Sequence, residues 1–117
     1  MQTFRDLVVW QKAIQLASRT YTLTSQFPHE ERYGLASQMQ RAAVSIPSNI
    51  AEGKLRGSSK EFAYFLRIAF GSGGELETQI EIAKQLPKIQ KLDFHPAEVL
   101  LDEVMRMLNV MLSKASA

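Results

Sequence analysis

From Phe62 to Ala83 the chain sets an apolar or small residue at Phe62, Leu66, Ala69, Gly73, Leu76, Ile80 and Ala83, in steps of four and three. Such steps keep side chains on one side of an α-helix, which turns by about 100° per residue. A stripe this long is buried most simply against other helices with the same spacing. It runs straight through Phe70-Gly71-Ser72-Gly73-Gly74. Three glycines within a helix together cost about 2–3 kcal/mol relative to alanine. A phosphate loop needs a strand before it and a Gly-Lys-Ser/Thr ending, and neither is present. Close approach of a second helix at Gly73, on the stripe itself, is the better reading. Ser58 followed by Glu61 forms a capping box for this helix, and Pro87 ends it, giving a range of about 58–86.

Three more segments carry the same period. The first runs from about 3 to 25, with Thr3 and Asp6 as a capping box. Leu7, Trp10, Ile14, Ala17 and Tyr21 supply its seam. Val9, Leu16 and Leu23 form a second apolar line, either a wide core face or a subunit interface. The second helix runs from Pro28 to about Leu55. Proline suits a first helical turn, and Glu30 and Glu31 complement the positive end of the dipole. Unbroken, it is roughly 40 Å long. Gly53, Gly57, Ser58 and Ser59 mark the following turn. Residues 87–95 form a linker with Lys88 and Lys91. Asp93 or His95 caps the last helix, about 95–113, whose seam is Ala97, Leu101, Val104, Leu108 and Met111. Asp102 and Arg106 form an i, i+4 pair outside. The final residues, Ser113 to Ala117, are expected to fray.

With short connections, the chain reads as a single all-α domain, 1–117, an up-down-up-down four-helix bundle. Helices one and three then point one way, and two and four the other.

The block Arg41-Ala-Ala-Val-Ser-Ile-Pro-Ser-Asn-Ile-Ala-Glu-Gly-Lys-Leu-Arg56 departs from a plain amphipathic helix in two ways. Met39, Ala43, Ile46 and Ile50 keep the core phase, while Arg41, Ser45, Ser48, Asn49, Glu52 and Arg56 fall within one quadrant at about 100° per residue. Pro47 sits in the middle and removes the donor for the Ala43 carbonyl. Because the stripe keeps its phase across it, a kink is expected there and not a stop. Ser45 and Ser48 offer hydroxyls near the freed carbonyl.

Composition narrows the chemistry. There is no cysteine, so disulfides and thiolate nucleophiles are excluded. No apolar run approaches the roughly 20 residues of a membrane-spanning helix, and Met1–Asp6 lacks the apolar block of a signal peptide. These features point to the cytoplasm. A di-metal bundle needs Glu-x-x-His pairs, whereas the histidines are His29 and His95, each beside a proline. No metal or cofactor is expected, and no serine has a histidine placed to activate it. Arg41, Glu52 and Glu75 read as a set that ties helices two and three together, in preference to an acid–base group. A buried pair of that kind fixes geometry more than it adds stability. No catalytic residue is assigned, and the chain reads as a non-enzyme.

Several elements together resemble a known family: Phe4, Asp6, Leu7, Trp10 and Ala13; Phe27, Pro28, Glu31, Gly34 and Leu35; Gln38 with Arg41-Ala42-Ala43-x-Ser45-Ile46-x-Ser48-Asn49-Ile50-Ala51-Glu52-Gly53; Phe65, Leu66, Ala69, Gly71 and Ser72; Glu75 and Leu76. The likeness is to the bacterial four-helix bundle proteins first described from intervening sequences in 23S ribosomal RNA genes, and it covers nearly the whole chain. The resemblance implies a homopentamer. It also implies kinship with accessory proteins of diversity-generating retroelements, which bind a reverse transcriptase and nucleic acid.

Binding is therefore the expected role. In an up-down-up-down bundle the second turn lies beside both termini. That end gathers Arg5, Lys54, Arg56, Lys60 and Lys114, opposed chiefly by Asp6, Glu52 and Glu61. Repeated around a ring, such a patch holds RNA or DNA phosphates by avidity. The opposite end offers Lys84, Lys88 and Lys91. The alternative is a protein-binding scaffold or adaptor, resting on the surplus apolar residues Val9, Leu16, Leu23, Phe65, Ile68, Ile82 and Leu86. A reverse transcriptase is the kind of partner it fits.

Overall fold

Each apolar stripe becomes one helix. The structure, a computed structural model, describes residues 2–116. Its helices are α1 (Val8–Thr24), α2 (Leu35–Arg56), α3 (Ser59–Ala83) and α4 (His95–Ser116). Short 3-10 turns at Phe4–Asp6 and His29–Glu31 precede the first two, and there is no strand among the described residues. Neighbours in sequence pack antiparallel and α4 closes against α1, while the backbones of the diagonal pairs stay farther apart. Cross-helix contacts fix the register: Gln40 to Thr24, Ser45 to Ser72, Lys84 to Glu98 and Lys12 to Glu103. The chain is thus an all-α four-helix bundle of 45 × 24 × 20 Å.

The stripes of α2, α3 and α4 bury the residues their spacing selects. Met39, Ala43, Ile46 and Ile50 meet Leu66, Ala69, Leu76 and Ile80, with Ala97, Leu101, Val104 and Leu108 completing the core. α2 and α3 share the most extensive interface. Small residues explain it. A Cβ on Gly53 would lie 2.8 Å from the Phe65 Cβ and 3.3 Å from the Phe62 backbone oxygen, so glycine sets how closely the helices meet. Gly53 is therefore buried inside α2 and is no part of the turn; Gly57, with φ of 89°, makes the turn instead. Gly73 meets the Met105 thioether of α4, as the α3 seam predicts. α2 runs through Pro47 to Arg56, so the proline does not stop the helix.

The first helix differs from its expected seam. Val9, Ala13, Leu16, Thr20 and Leu23 are the buried line, whereas Ile14 is 43% and Tyr21 48% exposed. Leu7, Trp10 and Ala17 lie at the margin. The buried line looks weaker in the sequence because it contains a threonine. In the fold, the Thr20 hydroxyl donates to the Leu16 carbonyl at 2.8 Å, so its polarity is satisfied within the helix.

Four boundaries differ from their expected places. The Thr3–Asp6 capping box forms, but it closes the 3-10 turn; Leu7 is extended and α1 begins at Val8. The turn folds back on α1 through an edge-on contact of Phe4 with Trp10 and a 2.8 Å bond from the Gln11 amide to the Arg5 carbonyl. Pro28 likewise opens only a 3-10 turn. Non-helical backbone at Gly34 (φ −107°, ψ −111°) delays α2 to Leu35. At 22 residues, α2 is roughly 33 Å long at 1.5 Å per residue, shorter than the expected 40 Å. α3 ends at Ala83, ahead of Pro87, because the linker turns inward and buries Ile89 and Phe94 in the core. Asp93 accepts from the His95 N–H at 3.1 Å and so caps α4, which continues past its expected end at 113 to Ser116.

Candidate nucleic-acid interface

The end holding the α2–α3 turn also holds the start of α1 and the end of α4, since Leu7, Val8 and Val9 face Met107, Val110 and Met111 across one groove. Of the five basic side chains predicted for this end, Arg5, Lys54 and Arg56 make definite contacts. Asp6 accepts from the Thr3 N–H at 2.8 Å, so it serves the cap, and Arg5 instead lies over the Phe4 ring, 4.7 Å from its centre. Arg56 is neutralised twice, by Glu52 at 3.0 Å and by Glu61 at 3.7 Å. That leaves both local glutamates engaged with a single arginine. Lys54 lies 5.7 Å from the Phe62 ring centre. Arg5, Lys54, Lys60 and Lys114 make no ion pair among the described residues.

The far end has the opposite character. Lys84 is hydrogen-bonded to Glu98 and lies 3.7 Å from Glu81; the bond to Glu98 holds its pKa above the ordinary lysine value. Lys88 pairs with Glu30 at 2.9 Å. Only Lys91 of that trio is without an acid partner among the described residues.

The polar quadrant of α2 divides as well. The Ser45 and Ser72 hydroxyls are 2.8 Å apart, linking α2 to α3. The Asn49 amide donates to the Ser45 carbonyl at 2.8 Å and to its hydroxyl at 2.9 Å. Ser48 and Glu52 face solvent. Arg41 and Glu75 make no hydrogen bond or ion pair among the described residues, so they do not tie α2 to α3 as expected. The tie is the neutral Ser45–Ser72 contact. Ser72 lies between glycines, and the signals at that position are its lack of an apolar role and its place in the family resemblance. Nor do Ser45 and Ser48 satisfy the carbonyl freed by Pro47, since Ser45 is engaged elsewhere and Ser48 bonds nothing among the described residues.

Asn49→Ala removes both bonds to Ser45 but leaves the cross-helix contact. It is expected to lower stability by about 1 kcal/mol, read as a shift in the urea midpoint with an unchanged m-value.

No group of three or more histidine, aspartate or glutamate side chains gathers among the described residues. No helix among them is long and apolar enough to cross a membrane.

Comparison with known proteins gives one finding. A family model described as 23S rRNA-intervening sequence protein matches residues 5–110, and no curated protein matches the chain. The matched span takes in the Arg41–Gly53 block, the α2–α3 turn and most of every helix. Since this match covers most of the chain, the chain belongs to the 23S rRNA-intervening sequence protein family.

Proposed function

We propose that this protein is a non-enzymatic, oligomeric binding protein that holds nucleic acid, RNA first, on the end bearing Arg5, Lys54, Arg56, Lys60 and Lys114. The observation that carries this reading is the contrast between the two ends. At one end acidic partners neutralise Lys84 and Lys88 and leave Arg32 and Lys91 unpaired, while at the other four cations stand without an acid partner among the described residues. Arg56, already paired, contributes least. The family's RNA-related description is in keeping with this role. So is a homopentamer, in which exposed apolar residues such as Tyr64 and Ile68 meet neighbouring copies. Five copies around an axis turn weak phosphate contacts into useful affinity. Replacing Lys54 and Lys60 together with glutamine is expected to weaken binding of a labelled RNA at least tenfold in low salt, measured by fluorescence anisotropy. Unchanged affinity in the double variant would contradict the assignment of this end.

A second reading has its own observation. Leu55 is 72% exposed, and the groove between the start of α1 and the end of α4 is almost wholly apolar. These surfaces suit a scaffold or adaptor that docks a protein such as a reverse transcriptase. A retroelement with template repeats beside the gene would favour it.

A further inference from the structure

A second cationic surface lies on the side of the bundle, along α1 and α2, away from the basic end. A cavity of about 550 Å³ opens between the end of α1 and the start of α2, lined by His29, Arg32, Tyr33, Ser37 and Gln40 among others. A second of about 330 Å³ continues along the same two helices, lined by Tyr21, Arg41, Val44 and Ser45. Ser37 and Gln40 border both, so the two form one groove.

No carboxylate lines either part. The turn before α2 sorts its charges to bring this about. Glu30 swings away to pair with Lys88, and Glu31 accepts from the Leu35 N–H; both face a separate hollow beside Leu86 and Pro87. Arg32 and Arg41 are left without an acid partner among the described residues. Arg41 lies about 9 Å along α2 from Leu35, and Arg32 lies before that residue. Arg32 lines the first part of the groove and Arg41 the second.

Aromatic rings alternate with these charges. Tyr33 is 82% exposed, with the Arg32 guanidinium 5.3 Å from its ring centre. Tyr21 offers a second open ring beside Arg41. Gln40 donates to the Thr24 hydroxyl at 2.9 Å, and its own carbonyl oxygen has no partner among the described residues. Cations for phosphates, rings for bases and an amide oxygen for a base edge are the parts of a single-strand site. A duplex keeps its bases stacked inside and has no use for the tyrosines. An acidic peptide would use the arginines alone.

We infer that the α1–α2 groove binds a short stretch of single-stranded nucleic acid, with phosphates on Arg32 and Arg41 and bases stacked on Tyr33 and Tyr21. The site is distinct from the basic end, and the two stand or fall separately. The test uses the full chain and an eight-nucleotide oligouridylate carrying 4-thiouridine, crosslinked by light and mapped by peptide mass. Crosslinks on the peptides carrying Tyr21 or Tyr33 are expected. They should persist when Lys54 and Lys60 are glutamine. Arg32→Gln with Arg41→Gln should weaken binding of the same oligomer at least tenfold and reduce the logarithmic salt slope by about 1.4. Tyr33→Ala should weaken binding at least fivefold. All three positions are exposed, so melting temperatures should match the wild type, which removes misfolding as an explanation. Crosslinks confined to residues around the α2–α3 turn would overturn the inference, as would unchanged affinity in the arginine pair. So would equal competition by an oligoglutamate peptide together with no effect of Tyr33→Ala, which would mark the groove as a protein site. Crosslinks at the tyrosines with no effect of the lysine pair would uphold the groove and remove the basic end.

Discussion

Gly53→Val is expected to lower the folding stability of this protein by about 3 kcal/mol, the upper part of the range for overpacking a core. Even a lone Cβ would sit 2.8 Å from the Phe65 Cβ, and the other near atoms are the Phe62 ring and backbone oxygen. Neither a Cβ nor a backbone oxygen can swing aside, so α2 and α3 must separate along their most extensive interface. The substitution also threatens the α2–α3 turn that carries Lys54 and Lys60. Gly71→Ala is the control. A Cβ there meets nothing within 4 Å. Removing a helical glycine should therefore raise stability by about 0.5–1 kcal/mol. Urea denaturation of both variants reads the contrast directly. A Gly53 variant as stable as the wild type would mean that the helices are not held at this distance.

The second large effect concerns α1. Leu16→Ala is expected to cost about 2–5 kcal/mol, because Leu16 is fully buried and its loss leaves a cavity. Ile14→Ala should change folding stability by no more than about 0.5 kcal/mol, as for other surface substitutions. The spacing of apolar residues alone predicts the reverse order. Thermal or urea unfolding of the two variants separates the alternatives, and a greater loss at Ile14 would restore the line through Leu7, Ile14 and Tyr21 as the core.

That reversal shows where sequence and fold part company. Periodicity locates a helix well, and α2, α3 and α4 turn the stripes of Met39–Ile50, Leu66–Ala83 and Ala97–Leu108 inward as their spacing requires. It decides less well between two stripes on one helix. On α1 the richer stripe lies at the edge of the core, with Leu7, Trp10 and Ala17 at its margin and Ile14 and Tyr21 partly exposed, since Thr20 can be buried once its hydroxyl bonds its own helix. Capping residues were legible as capping residues: Thr3, Ser58 and Asp93 all accept the bonds their positions suggest. What Thr3 caps was not, because the extended backbone at Leu7 depends on Phe4 packing against Trp10. The linker is hard to read for a similar reason. Its lysines advertise a solvated loop, while Ile89 and Phe94 plug the core.

For the candidate site, the sequence could collect Arg5, Lys54, Lys60 and Lys114 at one end from topology alone. It could not show which lysines have partners, since Lys88 pairs with Glu30 across 58 residues of chain. Nor could it show Arg41 and Glu75 standing apart while two neutral hydroxyls join the helices. Pairing at this level depends on register, and register appears only once the helices are packed.

The central claim is that this bundle binds nucleic acid through repeated phosphate contacts. The most direct test is the affinity of wild-type protein for labelled single- and double-stranded RNA and DNA across a salt series, read by fluorescence anisotropy. Micromolar or tighter binding of RNA is expected, weakening steeply and linearly on a log–log plot against salt, with a slope set by the number of phosphates neutralised. No binding of any of the four at low salt would contradict it and leave the apolar surfaces, and a protein partner, as the function of the bundle.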